Sequence, residues 1–160
     1  MENRQVFNEI NKKLWETLSE QEIDKETALQ RLAGLFFQYL ETLNALCFCI
    51  YLRAPSDDSL LSGPHCRLKN AELSFLNPAA AVEVLKTGNP VIKAPSNSQN
   101  LDVTNAARNY CAYPQMCVPV KDSKKRTAYV LALAGSDNKI FTKEDIAGLS
   151  EIAKSLSSAL

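Results

Sequence analysis

The sequence predicts an α+β domain: a central antiparallel sheet of five to six strands, with the N- and C-terminal helices packed on one face. Three observations predict it. Hydrophobic periodicity gives the order helix, helix, two strands, strand, short helix, strand, long polar segment, two strands, helix. Two pairs of apolar runs, at 45–62 and 116–134, are each joined by a short polar turn of the hairpin kind. The helices at both ends carry one apolar face each, which must be covered by a sheet or by one another.

The elements follow in order. Val6, Ile10, Leu14 and Leu18 recur every four residues over 5–20, with Phe7 and Trp15 beside them, so the first helix has a narrow apolar stripe. Asp24-Lys25-Glu26-Thr27 is a helix start with acid near the positive end of the dipole. Leu29, Leu32, Leu35, Phe36, Tyr39, Leu40 and Leu43 give the second helix a face broad enough to lie on a sheet. Ala45–Arg53 is almost wholly apolar, as a strand covered on both faces should be. After the turn at Pro55-Ser56-Asp57-Asp58, Ser59–Ser62 returns as its partner, and Gly63-Pro64 is expected to end that strand. Leu73–Leu76 is a further short strand candidate.

Asn77-Pro78 opens a short helix, with Pro where its missing N–H costs nothing, and Gly88 ends it before the strand Val91–Lys93. From Pro95 to Gln115 the chain is polar and rich in Asn and Ser, with a turn of helix expected near 104–109. Met116–Lys121 and Thr127–Ala134 are paired strands around the charged turn 122–126. In the last helix Thr142 and Asp145 form a capping box, Phe141 and Ile146 a staple, and Leu149, Ile152 and Leu156 continue the apolar face.

Composition narrows the function classes. The 160 residues suit one domain plus a helical arm, here 1–24 as an amphipathic helix and 25–160 as the domain. Eighteen basic residues offset eighteen acidic ones, so no global field gathers nucleic acid or an anionic membrane. No apolar run approaches the ~20 residues of a membrane span, and the first residues lack the apolar stretch of a secretory signal; a soluble, cytoplasmic protein is expected. The five cysteines, Cys47, Cys49, Cys66, Cys111 and Cys117, are odd in number and lack metal-site spacing, which fits buried thiols in a reducing compartment. Cys47 and Cys49 share one strand face.

Three stretches together resemble the GAF domain, a small-molecule sensory module of signalling proteins. Ala80–Ile92 is similar to its short helix, glycine turn and strand; Met116–Leu133 to its paired strands, with Val118-Pro119-Val120 at a V-P-[VIL] site; and Phe141–Ala159 to its closing F-T-x-E-D helix. The resemblance implies a ligand held between one sheet face and a crossing segment, here 94–115, with Asn97, Arg108, Tyr110, Cys111, Tyr113, Gln115 and Cys117 as the ligand-binding set. Arg108 could pair bidentately with an anionic group. No metal ligand set appears, and the ligand and any cofactor stay open. His65-Cys66 lacks a partner at ligand spacing.

The resemblance also implies a homodimer through the terminal helices; the last helix, which carries its apolar face on without a cap or polar tail, is expected to continue into an effector of a longer signalling protein. The alternative is a cysteine-based redox sensor or an enzyme like the free methionine sulfoxide reductases, stand-alone proteins of this fold. Cys111 would be its nucleophile, Arg108 its positive field, and Cys66 or Cys117 its resolving thiol. Against it, Asn77–Ala81 and Pro114-Gln115-Met116 stand where those enzymes carry a cysteine-glycine motif and an acidic residue. Cys111 is followed by Ala112, not the histidine common at bilin attachment sites, and no cyclic-nucleotide signature is visible. The basic run Lys124-Lys125-Arg126 reads as a solvated hairpin tip, with docking of an acidic partner as its other use.

Overall fold

The computed structural model describes residues 2–20, 22–55, 59–95 and 113–159. Its elements are α1 (Asn3–Leu18), α2 (Lys25–Tyr39), β1 (Ala45–Arg53), β2 (Leu60–Arg67), a 3-10 turn (Leu73–Phe75), α3 (Pro78–Thr87), β3 (Val91–Lys93), β4 (Gln115–Lys121), β5 (Thr127–Gly135) and α4 (Lys143–Ser157). The five strands form one antiparallel sheet in the order β2-β1-β5-β4-β3. The expected α+β architecture is the observed one.

Local chemistry explains the helix ends. Asp24 accepts the Thr27 N–H at 2.7 Å, and Asn77 accepts that of Ala79 at 2.9 Å, so α2 and α3 each start on a side-chain cap. Thr142 and Asp145 form the full reciprocal box at the start of α4. Gly88 ends α3 at φ 71°, a left-handed conformation that glycine adopts without a Cβ penalty.

The helix layer is tied across the length of the chain. Val6, Phe7, Ile10 and Leu14 of α1 are fully buried, and α1 packs on α4 and α2 of the same chain. Asn3 donates to the Asp145 carboxylate at 3.2 Å, and Ser155 donates to the Asn11 side-chain oxygen at 2.6 Å. Gly148 sets the approach: a Cβ there would lie 2.5 Å from the Phe7 ring. Beneath, Phe36 of α2 stacks on Phe48 of β1 with ring centroids 3.9 Å apart.

Two sequence expectations are corrected. Gly63-Pro64 does not end β2, which continues to Arg67. The pairing passes from Cys49 with His65 to Tyr51 with Ser62, so β2 carries an extra residue opposite Ile50. That bulge at an edge strand accommodates Pro64, whose lacking N–H would break an inner ladder. Gly63 is needed there because a Cβ would sit 2.6 Å from the Ile50 carbonyl oxygen. Leu73–Leu76 is also not a strand; Leu73–Phe75 forms the 3-10 turn that leads into α3.

Candidate functional site

Strand alternation divides the sheet into two unlike faces. Toward the helix layer point Phe48 and Ile50 of β1, Leu131 and Leu133 of β5, and Met116, Val118 and Val120 of β4. The opposite face carries Cys47, Cys49 and Tyr51 of β1, Val130, Ala132 and Ala134 of β5, and Cys117 of β4. Register arranges these residues in three rows across the central strands. Cys47, Ala134 and Gln115 make the first row; Cys49, Ala132 and Cys117 the second; Tyr51, Val130 and Pro119 the third. Ala80, Ala81 and Val84 of α3 and Leu76 pack against this face, and Phe75 lies at its margin.

The polar groups at its border are few. Gln115, 1% exposed, accepts the Asn77 N–H at 3.2 Å through its side-chain oxygen, joining the start of α3 to the first row. Tyr113 stacks on Phe75 with centroids 4.3 Å apart. The flanking cations are engaged outside the rows: Arg67 donates to the Ala71 carbonyl at 2.9 Å, and Lys93 pairs with Glu83 at 2.8 Å. Among the described residues, no group of His, Cys, Asp and Glu is placed to hold a metal ion.

Three of the thiols are held in the protonated form by burial. Burial pushes the Cys47 thiol up to about 11, and those of Cys49 and Cys66 up to about 12, because the low-dielectric surroundings disfavour the thiolate. Cys47 makes a weak contact to the Glu72 carbonyl, at 3.8 Å, and the Ala134 backbone opposes part of the burial effect on its thiol.

Of the seven ligand-binding residues expected from sequence, the structure brings Tyr113, Gln115 and Cys117 to this face or its border. Asn97, Arg108, Tyr110 and Cys111 lie outside the described residues, as does the turn of helix expected near 104–109. Cys47, Cys49 and Tyr51 belong to the same surface and were missed as site residues. Their spacing of two was visible, but only the strand register shows that they lie opposite the Ala132 and Ala134 row and face Cys117 across it.

A concavity lies on the other side of the sheet, between α2 and edge strand β2. This open groove of about 920 Å³ is lined by Leu29, Ala33, Phe37, Leu52, Cys66 and Tyr129, among others. Its polar lining includes Lys25, Glu26, Gln30 and His65, whose Nδ1 lies 3.1 Å from the Gly63 carbonyl oxygen.

A five-stranded antiparallel sheet, helices from both chain ends on one face and a short helix on the other define a two-sided α+β module. Residues 26–160 match the model of the GAF domain, and the chain belongs to that family. Solved structures agree on the fold. A GAF domain structure matches with TM-score 0.73 at 16% identity, over 99% of this chain and 89% of that one. A putative GAF sensor protein from Burkholderia vietnamiensis matches with TM-score 0.70 at 11% identity, over 99% and 89%. The free methionine-R-sulfoxide reductase from Neisseria meningitidis, in complex with its substrate, matches with TM-score 0.73 at 17% identity, over 99% and 90%. No curated protein matches the chain by sequence. No helix among the described residues is long and apolar enough to cross a membrane.

Proposed function

We propose that this chain is a non-catalytic sensory domain that binds a small molecule on the sheet face opposite the terminal helices, beneath the segment 94–115. The observation that carries this reading is the inequality of the two faces. Alanine and cysteine occupy five of the central positions on one face, where the other has phenylalanine, leucine, isoleucine and methionine. A face built only to support a helix has no need of a tyrosine and a glutamine at the ends of its rows. Membership of a family of small-molecule sensors, and likeness to a putative sensor protein, support the same reading.

The two faces share their strands, which supplies a route for signalling. Cys49 faces the binding side while its neighbours Phe48 and Ile50 face α2 and the rest of the helix layer. A ligand that prefers one strand geometry therefore biases the packing of the terminal helices by its difference in affinity for the two arrangements. Pairing of two copies through the terminal helices, expected from sequence, would use the outward side of α1, where Trp15 stays 48% exposed; its inward stripe is already covered. A single-copy mass in light scattering, unchanged by Trp15→Glu, would remove the dimer from this reading.

Likeness to a free methionine-R-sulfoxide reductase keeps redox chemistry as the other use of the fold. The raised Cys47, Cys49 and Cys66 thiols argue against them as nucleophiles, so that chemistry would rest on Cys111 and Cys117. The test of the main reading is native mass spectrometry of freshly purified protein, followed by a thermal-shift screen against a metabolite library. A retained or stabilising small molecule, competed by filling the face with Ala132→Leu, is expected. Absence of any binder, with selective reversible peroxide oxidation of Cys111 or Cys117, would replace the receptor by a redox protein.

A further inference from the structure

The groove between α2 and β2 is long and narrow. On its helix side the lining runs from Lys25 to Phe37, a span of about 18 Å at the helical rise per residue. Its volume of about 920 Å³, spread over that span, leaves a cross-section of roughly 50 Å², about half that of an α-helix with its side chains. Leu29, Ala33, Leu52, Cys66 and Tyr129 line it without an ionised group among them. Gly34 keeps the middle open, since a Cβ there would meet nothing within 4 Å. Two large apolar side chains stay in solvent beside it. Phe37 is 55% exposed, and Leu61, paired with the groove residue Leu52, is 51% exposed. Exposed apolar groups gathered around one groove mark a binding surface.

We propose that this groove holds the single alkyl chain of a free amphiphile, with its polar head left at the start of α2. The site is separate from the sheet face of the receptor reading and does not depend on it. Geometry disfavours the other occupants. A peptide strand would have to pair with the outer edge of β2, which is interrupted by the bulge opposite Ile50 and by Pro64, a residue without an N–H. A partner helix has about twice the cross-section available. An alkyl chain matches both length and section, and it needs no hydrogen bond from the floor. Charge sets its direction. Lys25 and Glu26 stand at one end of the groove, and neither forms an ion pair with another described residue. At the other end of the helix side stand Gly34 and Phe37, where a head group would find no charge on α2. Because Lys25 and Glu26 have opposite signs, the chain contributes more to recognition than the sign of the head.

The test titrates the full chain with hexanoate, octanoate, decanoate and 1-octanol, each below its micelle concentration, and follows the methyl groups of labelled leucines by NMR. The Leu29 and Leu52 methyls should shift, with affinity rising about three-fold per added methylene as more apolar area leaves water. Octanoate and 1-octanol should agree within about five-fold, the reach of one exposed charge. Gly34→Leu fills the middle of the groove without meeting a neighbour, so it should melt no lower than the native chain and bind decanoate at least about ten-fold more weakly. Phe37→Ala should weaken decanoate about three-fold and leave hexanoate, too short to reach that end, as in the native chain. No leucine shift, affinity independent of chain length, or decanoate affinity unchanged in Gly34→Leu overturns the inference. Attachment to phosphatidylcholine vesicles without a response to the monomeric probes also overturns it and indicates a lipid surface instead. All of these outcomes leave the sheet-face reading standing, because that reading fails only on its own test with retained metabolites and Ala132→Leu.

Discussion

The two faces of the sheet are made by the same three central strands, yet they follow different packing rules. The helix-facing side is filled by large apolar side chains interlocked with α1, α2 and α4, and its Phe36–Phe48 stack is the type of contact that sets stability. The other side is floored by small side chains, with single polar groups at the ends of its rows. The difference teaches that one face of this fold specifies the structure while the other leaves chemistry to be added. Substitutions of opposite kinds should therefore separate them.

The largest effect is expected from Phe48→Ala. Its ring is wholly buried and stacked on Phe36, so truncation removes transfer free energy and leaves a cavity, costing about 3–5 kcal/mol. Chemical denaturation should show the midpoint falling at constant slope. A loss below about 1 kcal/mol would mean that the helix layer can collapse onto the sheet, and the contrast between the faces would fail.

Ala132→Leu makes the opposite change at the centre of the other face. Cys49 and Cys117 flank Ala132 across the strands, and the face around it is packed, so overfilling should cost about 1–3 kcal/mol. Small-molecule binding should be lost altogether while far-UV circular dichroism stays native. Binding retained at native affinity would move the site elsewhere, the α2–β2 groove being the first place to look.

Gly148→Ala tests the helix layer from outside the sheet. Alanine favours a helix interior by about 1 kcal/mol over glycine, but the new methyl would lie 2.5 Å from the Phe7 ring, and overpacking of that kind costs about 1–3 kcal/mol. A net loss of about 1 kcal/mol is expected, together with faster amide exchange in α1. A stabilised variant would show that α1 yields readily at this contact.

How much of this was legible in the sequence depends on whether a feature is local. The capping box of Thr142 and Asp145, the Asn77 cap before Pro78 and the glycine stop at 88 each act within one turn, and all three are where the sequence puts them. Gly63-Pro64 was misread because a breaker in isolation becomes a bulge once it faces Ile50 at a sheet edge. Leu73–Leu76 was misread because four apolar residues carry no period long enough to tell strand from turn. The candidate site suffered most. The sequence pointed to the polar segment 94–115, whereas the rows of Cys47, Cys49 and Tyr51 against Ala132, Ala134 and Cys117 exist only through the registers of β1 and β4 on β5.

The smallest effect appears only in alkali and distinguishes quiet thiols from reactive ones. Cys47 rises from an ordinary 9.0 to about 11, and Cys49 and Cys66 to about 12, by burial. Between pH 9 and 11 the unfolded chain therefore releases protons that the folded chain keeps, so stability is intact below pH 9 and falls as the pH rises through the folded values. Melting temperatures measured at pH 8 and pH 10 should differ in that direction, and Cys49→Ala should flatten the slope by one thiol's share. Iodoacetamide at pH 8 should correspondingly label Cys47, Cys49 and Cys66 far more slowly in the folded chain than in urea. Rapid labelling of Cys47 or Cys49 under native conditions would mean that this face of the sheet opens to solvent and that burial does not protect its thiols.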